Sequence, residues 1–582
     1  MARLRHSIQA LRTPGVAAIV ALGVAWGMVI HTSGWAQLAH FAQVRSFANG
    51  RADIDRWHWE TNDKAWVDGH FYSVKSPGMA ALSTPFYMLF KDVGGEKLAR
   101  AAVTNEERTA HPKWLPQKVV PLENYAFNVD RGLLVQKRVE EETPIIWVLT
   151  LIAAVIPGIL MLLAVRWAAD RFEPGYGTAA AITLGLATIV MTFAAEFFSH
   201  VISAALAFAA FLVLMRERER TASLRAVGIA GLLAGLAVTF EFQTGLVGVV
   251  LAIYAVVRRS NWLRRGIAYS AGAVAGALPM LAFNTWAFGN PLKLAYGDAV
   301  AYPGMSGHDV LGLNSHGFFG ITAPRLDSAI DLLLAGRGLL VLTPIFVMAI
   351  VGVVMIRRGP RRAEANVILA IAAVYFIYNS GYWLPFGGGT PGPRFLIPAM
   401  PFLALGLAPA YRRFPALTLG FAIPSAMFML VGTLTYPLLG RQGLGTWADW
   451  LVQGNLEHTV LTAFGVSNAW LAIAPFFAAV ATAIVLAVKA TPSVQLAGLR
   501  AAVAAVVAWV GVAIFGPTLS GDNSVLERGN SSALWLILAG ALLAIGTLYV
   551  IRAREQAQSG AGREPTREPA LGPELALDES SS

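Results

Sequence analysis

Apolar segments long enough to cross a lipid bilayer recur from residue 15 to residue 551, and they restrict the fold of this chain more than any other feature. A helix crosses a hydrocarbon core of about 30 Å with roughly 20 residues. We predict about fourteen such spans, at 14–36, 144–166, 176–195, 198–215, 226–243, 245–258, 266–286, 338–356, 364–381, 395–411, 415–437, 468–488, 499–518 and 532–551. The pattern indicates an all-α polytopic membrane protein, with residues 1–551 forming one multi-spanning domain.

Composition supports one large membrane domain and excludes several other classes of protein. Of the 582 residues, 56% are hydrophobic and 14% are charged, whereas soluble proteins carry about 25% charged residues. The chain has no cysteine, which excludes a disulfide framework, a thiol enzyme and a cysteine-ligated metal site. The sequence contains neither a P-loop, nor a dinucleotide-binding glycine motif, nor a His-Glu-x-x-His motif.

Basic residues predict the orientation, because positively charged loops resist translocation and stay in the cytoplasm. They cluster on one side of the predicted spans, at Arg3/Arg5/Arg12, Arg166/Arg171, Arg216–Arg220, Arg258/Arg259/Arg264/Arg265, Arg357–Arg362, Arg412/Arg413, Lys489 and Arg552/Arg554. Both termini are therefore predicted to be cytoplasmic, and the long loops 37–143 and 287–337 to be extracytoplasmic. Residues 552–582 are rich in Glu, Pro, Gly and Ser, which predicts a disordered cytoplasmic tail. Because the inner loops are short, we expect a multi-pass protein of the cell inner (plasma) membrane whose active site faces outward.

The first predicted outer loop carries the residues best suited to catalysis or ligand binding. Acidic and aromatic side chains alternate there, at Asp53, Asp55, Trp57, Trp59, Glu60, Asp63, Trp66 and Asp68. The segment 72–78 then leads into an amphipathic stretch, 79–90, which is too short to cross a membrane and is expected to lie along its surface. On composition alone, a solvated loop with an interfacial belt of tryptophans explains the same pattern.

Several short motifs in this loop and beyond it form a family resemblance. They are Ile54-Asp55-Arg56, Asn62-Asp63, Tyr72-Ser73-Val74-Lys75-Ser76-Pro77-Gly78, Phe288-Gly289-Asn290-Pro291 and Gly387-Gly388-Gly389-Thr390-Pro391-Gly392-Pro393-Arg394-Phe395-Leu396-Ile397-Pro398. In this order the chain resembles the C-type (GT-C) membrane glycosyltransferases over roughly residues 10–410. The likeness is to the protein O-mannosyltransferase and lipid A aminoarabinose transferase branch (glycosyltransferase family 39-like). Two features depart from the family pattern: Arg56 stands where a second carboxylate is expected, and residues 95–143 look like an insertion.

The resemblance implies an enzyme that moves a sugar from a polyprenyl-phosphate carrier to a hydroxyl of an extracytoplasmic glycan, lipid or protein. Asp55 is then the expected general base, with Asp53 as the alternate, because a carboxylate must accept the proton of the attacking hydroxyl. Lys75 and Arg394 are expected to bind the carrier phosphate. Each of these residues also has a non-catalytic interpretation: Asp55 could pair with a neighbouring arginine, and Lys75 could extend from an interfacial helix to water.

Further candidates complete the predicted substrate and phosphate site. Tyr72, in the Lys75 motif, and Asp63 are assigned to it. Glu196 and His200 also belong to it, since ionisable groups near a membrane span are functional hypotheses. Their spacing would put both on one helical face, but no third metal ligand is visible. No resident metal is therefore predicted, no cofactor is certain, and a divalent cation stays an open alternative. Weaker candidates are Glu241, His316 and Arg325.

A specific arrangement would distinguish the two main functional hypotheses. A transferase predicts that Asp55, Lys75 and Arg394 meet at one outward cavity beside a groove for the lipid. Its partners are the polyprenyl-phosphate sugar donor, the acceptor and the bilayer, with no nucleic acid. The alternative is a polytopic transporter or flippase, which is expected to carry ionisable residues near the membrane midplane in two repeated halves. A non-catalytic scaffold with a degenerate site is the third hypothesis.

Overall fold

Helices make up almost all of the regular structure, as the apolar pattern predicts. The computed structural model describes residues 13–31, 33–108, 141–257, 261–299, 319–438, 443–492, 498–520 and 530–561. Within these ranges the strands are short and belong to two-stranded pairings. The prediction of an all-α fold is therefore confirmed.

The N-terminal part combines helices with a small hairpin. Its elements are α1 (Pro14–Met28), β1 (Val29–Ile30), α2 (Trp35–Ala48), β2 (Lys64–Val67), β3 (His70–Ser73), α3 (Gly78–Asp92) and α4 (Gly95–Arg108). The predicted amphipathic stretch 79–90 forms α3, which exposes Phe86, Met88 and Leu89. Of the predicted insertion 95–143, residues 109–140 lie outside the described ranges.

The middle of the chain is a bundle of apolar helices. It consists of α5 (Glu141–Phe172), α6 (Gly177–Leu186), α7 (Val190–Phe193), α8 (His200–Glu219), α9 (Leu224–Phe240), α10 (Gly245–Val256) and α11 (Trp262–Phe288). Helices α9 and α11 pack backbone to backbone through small residues: a Cβ on Gly235 would lie 1.9 Å from the carbonyl oxygen of Ala273. Small residues of this kind let membrane helices approach closely.

The C-terminal part continues the bundle. Its elements are α12 (Leu326–Leu334), α13 (Leu339–Leu342), α14 (Ile345–Arg357), α15 (Arg362–Gly381), α16 (Arg394–Arg413), α17 (Pro415–Thr435), α18 (Gly443–Val452), β4 (His458–Thr459), α19 (Val460–Ala463), α20 (Ala469–Ala490), α21 (Leu499–Phe515) and α22 (Asn530–Ala561). Helix α22 continues past residue 551, where the tail was predicted to begin, and residues 562–582 lie outside the described ranges.

Every predicted span contains apolar helix. In the described part of the chain, nine helices are long and apolar enough to cross a membrane, and a pair bent by 89° before α14 makes a tenth. Pro344 lies at that bend and has no backbone N–H to continue a helix. The shorter apolar helices Pro14–Met28, Gly177–Leu186, Leu224–Phe240 and Phe242–Val256 match the remaining spans. The number of crossings and the cytoplasmic termini stay predictions.

The predicted first span, 14–36, is wrong at its C-terminal end. Helix α1 stops at Met28, because the next two residues adopt extended backbone and pair with β4 in antiparallel register, Val29 with Thr459 and Ile30 with His458. A separate helix, α2, then begins at Trp35. The segment that follows α1 is therefore connected by backbone hydrogen bonds to the last third of the chain.

One tight packing contact positions the segment that precedes α3. The Ser76 hydroxyl donates a hydrogen bond to the carbonyl oxygen of Thr239, 2.7 Å away, at the end of α9. A Cβ on Gly78 would lie 2.6 Å from that same oxygen, so only glycine fits. The contact brings residues 75–78 against the chain that leaves α9, where Glu241 follows.

Candidate functional site

A cavity of about 650 Å³ opens where the N-terminal hairpin meets the helical bundle. One part of its lining is polar and ionisable: His40, Asp63, Lys75, His200, Glu241 and Arg394. Another part is aromatic: Trp35, Phe198, Phe242, Tyr296, Phe319, Tyr378, Tyr382, Trp383, Phe395 and Tyr436. A large apolar cavity with a few convergent charged groups is the usual form of a small-molecule site.

Asp63 and Lys75 form an ion pair at the open end of the hairpin. The register of β2 and β3 pairs Lys64 with Ser73, and the Val74 N–H donates to the Asp63 carbonyl oxygen at 3.3 Å, so Lys75 lies one residue beyond the position opposite Asp63. The carboxylate oxygen of Asp63 lies 2.6 Å from Lys75 Nζ, and both side chains are mostly buried. The Lys75 backbone N–H donates to the Ser73 hydroxyl at 3.1 Å, which fixes the chain at this point.

Glu241 and His200 form a second pair across two helix ends. His200 Nδ1 lies 3.1 Å from a Glu241 carboxylate oxygen. That carboxylate also accepts hydrogen bonds from the Ser199 hydroxyl at 2.6 Å and from Gln243 Nε2 at 3.1 Å. The imidazole of His200 stacks on Phe198, with ring centroids 5.6 Å apart. The pair is therefore held on several sides.

Arg394 provides the second cation of the cavity. Its guanidinium lies over the rings of Phe198 and Phe395, at 5.3 and 5.2 Å. No carboxylate of the described residues lies within ion-pair distance of it. The preceding loop needs glycine, because Gly387 and Gly388 have φ angles of 78° and 110°. A cation on an aromatic platform without a carboxylate partner in this part of the chain can accept an anionic ligand.

His40 adds a buried imidazole to the same lining. It lies on α2 and is 1% exposed. Its Nδ1 atom has no hydrogen-bond partner among the residues that the structure describes. Burial, and next the nearby charge of Lys75, lower the pKa of His40 to about 3. These protein groups therefore favour the neutral imidazole.

The acidic residues predicted as general base do not line this cavity. Asp55 accepts a hydrogen bond from the backbone N–H of Phe71 at 2.6 Å and pairs with His70 Nδ1 at 2.6 Å. Asp53 pairs with Arg51 at 2.9 Å. These contacts turn both carboxylates toward the partly exposed outer side of the hairpin. The hydrogen bond to Asp55 raises the pKa of His70 above its ordinary value.

The structure thus brings two of the three key residues together and separates the third. Lys75 and Arg394 line one cavity, as predicted, but Asp55 is not part of its lining. The role of Asp55 as general base stays a prediction. Ligand atoms of Asp53, Asp55 and His70 lie within 4.8 Å of one another, so this outer group has the donors to hold a divalent cation.

The remaining predicted residues have mixed positions. Tyr72 lies outside the lining, and its hydroxyl donates to the carbonyl oxygen of Ala287 at 3.2 Å. Glu196 is buried beside the cavity, where Gln37 Nε2 donates to it at 2.5 Å. The expectation that Glu196 and His200 share a helical face is wrong, because α8 begins only at His200. Of the weaker candidates, Glu241 lines the cavity and His316 lies outside the described residues.

Sequence reasoning missed His40 and underrated Glu241. A signal for His40 was present in the spacing of polar residues along α2: Gln37, His40 and Gln43 recur every third position and all are buried. Polar groups repeated on a buried helix face indicate a polar interior or a site. Glu241 stands immediately after α9, and only the packing of that helix against residues 75–78 shows its relation to Lys75.

The fold and the cavity define a class: a multi-helix membrane protein with a part-aromatic, part-charged cavity formed by its first loop and its helix ends. No protein-family model and no curated protein matches the chain. Among solved structures, ArnT from Cupriavidus metallidurans bound to undecaprenyl phosphate is similar, with 16% identity, 94% of this chain and 80% of that chain covered, and a TM-score of 0.43. ArnT of the same organism in the apo state gives 15% identity, 81% and 76% coverage, and a TM-score of 0.40.

ArnT is a C-type lipid A aminoarabinose transferase, of the branch that the sequence motifs resemble. With TM-scores of 0.43 and 0.40, the two matches are distant likenesses of fold. They leave the chemistry of this chain to its own residues.

Proposed function

We propose that this protein is a membrane glycosyltransferase that moves a sugar from a polyprenyl-phosphate carrier to a hydroxyl outside the cytoplasm. The acceptor is a glycan, a lipid or a protein. The observation that carries the proposal is the joint presence of Lys75, Arg394 and Asp63 around one part-aromatic cavity. Two cations and a carboxylate are what transfer from a phosphate leaving group requires.

Lys75 and Arg394 suit the phosphate end of the donor. When the bond between the sugar C1 and the phosphate oxygen breaks, its electron pair stays on the phosphate. Positioned cations stabilise that developing charge. Lys75 offers a compact charge and Arg394 a planar fork, so together they can contact separate phosphate oxygens. The incoming phosphate would take over from Asp63 as the partner of Lys75.

Asp63 is the carboxylate best suited to act as general base. It lines the cavity, and a phosphate on Lys75 would leave it to accept the proton of the acceptor hydroxyl as that oxygen bonds to C1. Glu241 is a weaker base, because hydrogen bonds from Ser199 and Gln243 and the contact with His200 stabilise its charged form. Asp55 is the competing assignment from the sequence motifs.

The aromatic wall suits a sugar ring. Tyr296 and Tyr382 are hydrogen-bonded through their hydroxyls, and Trp383 Nε1 lies 3.4 Å from the Tyr296 hydroxyl. Tyr382 also stacks on Tyr378, with ring centroids 5.7 Å apart. The wall therefore offers the cavity a continuous aromatic surface, which suits the apolar face of a sugar. The positive-inside pattern supports a cavity that faces outward from the inner membrane.

Donor turnover by matched variants tests the proposal. Purified wild type, Asp63→Asn and Asp55→Asn are given a panel of undecaprenyl-phosphate sugars with membrane extract as acceptor. Release of undecaprenyl phosphate is followed by mass spectrometry. Asp68→Asn is the control, because Asp68 lies exposed at the tip of the same hairpin. We expect release by wild type and control, and a loss of about 10²–10⁴-fold in Asp63→Asn.

The outcomes separate the assignments. Loss of activity in Asp55→Asn, with activity retained in Asp63→Asn, would assign the role of general base to Asp55. Absence of release from every donor would refute the transferase. Movement of intact lipid-linked sugar across vesicles containing the purified protein would then favour a flippase.

A further inference from the structure

His40 is a titratable group that faces the cavity and has no role in the transfer described above. Two ionisable pairs surround it: Asp63 and Lys75 beside the hairpin, and His200 and Glu241 at the ends of α8 and α9. It is almost fully buried, and its Nδ1 atom lacks a hydrogen-bond partner in the described part of the chain. Burial of an imidazole between charged pairs makes its charge dependent on what occupies the cavity.

We infer that His40 is a binding residue for the released carrier: it is neutral beside the sugar donor and takes up one proton when the carrier phosphate occupies the cavity. The inference rests on the proposed function and deepens it. It assigns the cavity a preference for a phosphomonoester dianion over a phosphodiester.

The two ends of the reaction differ by one charge. The donor is a phosphodiester with a single negative charge. Breakage of the C1–O bond leaves its electron pair on the phosphate, so the product is a monoester that can carry two charges. The acceptor oxygen forms the new bond to C1, and its proton passes to Asp63. A second negative charge beside His40 favours the imidazolium form.

The surrounding groups make His40 responsive in this direction. Burial lowers the pKa of His40 most, followed by the charge of Lys75 and, more weakly, His200, while Glu241 and Asp63 raise it. An anion bound at Lys75 offsets the charge of that lysine and adds attraction for a proton. The diester supplies one charge for this purpose and the monoester up to two, so binding of the monoester is the event in which His40 takes up a proton from the solvent.

Calorimetry with short carriers tests this inference. Farnesyl phosphate and farnesyl methyl phosphate are titrated into the full-length protein in buffers of different ionisation heat. The proteins are wild type, His40→Gln and the control His31→Gln, which changes another buried imidazole outside the cavity lining. We expect wild type and control to take up about one proton with the monoester and none with the diester. Their Kd for the monoester should then increase by up to about tenfold for each unit by which the pH is raised.

His40→Gln is expected to bind both ligands with little proton uptake. Equal proton uptake by wild type and His40→Gln would refute this role of His40 without contradicting the proposed transferase function. The wild type alone is also decisive, since no difference in uptake between monoester and diester would refute it whether or not the variant folds. If neither ligand binds, the proposed function fails together with the inference.

Discussion

Replacement of Asp63 by asparagine should tighten carrier binding while it lowers turnover by about 10²–10⁴-fold. Asp63 lies 2.6 Å from Lys75 Nζ, so it holds the cation that a donor phosphate must use. A phosphate on the other side of Nζ would be about 5 Å from the carboxylate. At an effective dielectric constant of about 20, two unit charges at that distance repel by about 3 kcal/mol.

Water in the open cavity reduces this repulsion, and we expect about 1–2 kcal/mol of it to appear in binding. Since about 1.4 kcal/mol corresponds to a tenfold change in Kd, the variant should bind a carrier phosphodiester about tenfold more tightly. Farnesyl methyl phosphate is the ligand, because it carries one charge and has no sugar to transfer. Titration calorimetry of detergent-solubilised protein gives the Kd, and the release assay gives the turnover.

Two controls define the result. Asp68→Asn makes the same chemical change on the same hairpin, outside the cavity lining, and should leave Kd unchanged. Lys75→Met removes the cation and should weaken binding. If Asp63→Asn weakens binding as Lys75→Met does, Asp63 serves to hold Lys75 in place, and competition between carboxylate and phosphate is refuted.

Three further predictions concern stability, each measured by unfolding in detergent. Gly78→Ala forces a Cβ to within 2.6 Å of a backbone oxygen of α9 and should destabilise the protein by about 1–3 kcal/mol. Gly511→Ala, with open space around it, should leave the stability unchanged. Equal unfolding temperatures of the two variants would contradict this. Burial lowers the pKa of Lys64 to about 7, so between pH 7 and 10.5 the unfolded chain binds more protons than the folded one. The stability of the wild type should therefore rise with pH over this range relative to that of Lys64→Met. A parallel pH dependence of the two proteins would refute this. Glu217 and Arg265 form a buried ion pair at 2.9 Å, so Glu217→Gln leaves the charge of Arg265 uncompensated and should destabilise the protein by about 3–5 kcal/mol. Replacement of both residues by methionine removes both charges and should cost much less. Similar losses for the single and the double variant would refute this explanation.

Sequence reasoning identified the apolar helices because crossing a bilayer imposes a length and a composition that local pattern records. It could not locate the end of the first helix. Val29 and Ile30 are as apolar as the helix before them, and only the pairing with residues 458–459 makes them extended. A partner more than four hundred residues away leaves no trace in a local pattern.

The candidate site was predictable where a motif carries the residue and its support together. Lys75 belongs to a segment whose Ser76 and Gly78 fix its position, and Arg394 follows glycines that its loop requires. Asp55 is different, because its direction depends on a backbone donor at Phe71 across the hairpin. The register of that hairpin decides whether Asp55 or Asp63 faces the cavity, and no residue type in the loop reveals it.

The pairing of β1 with β4 has a consequence for biosynthesis. Helix α1 packs against α20, and the strand that follows α1 pairs with residues 458–459, so both partners emerge from the ribosome long after α1 has been made. The cavity also needs Arg394 and Tyr436, which are translated late. The N-terminal segments must therefore wait in the translocation machinery or the bilayer in an incomplete state. The site is completed only when the final third of the protein inserts, so a truncated chain keeps its charged first loop but lacks the surfaces that shelter it.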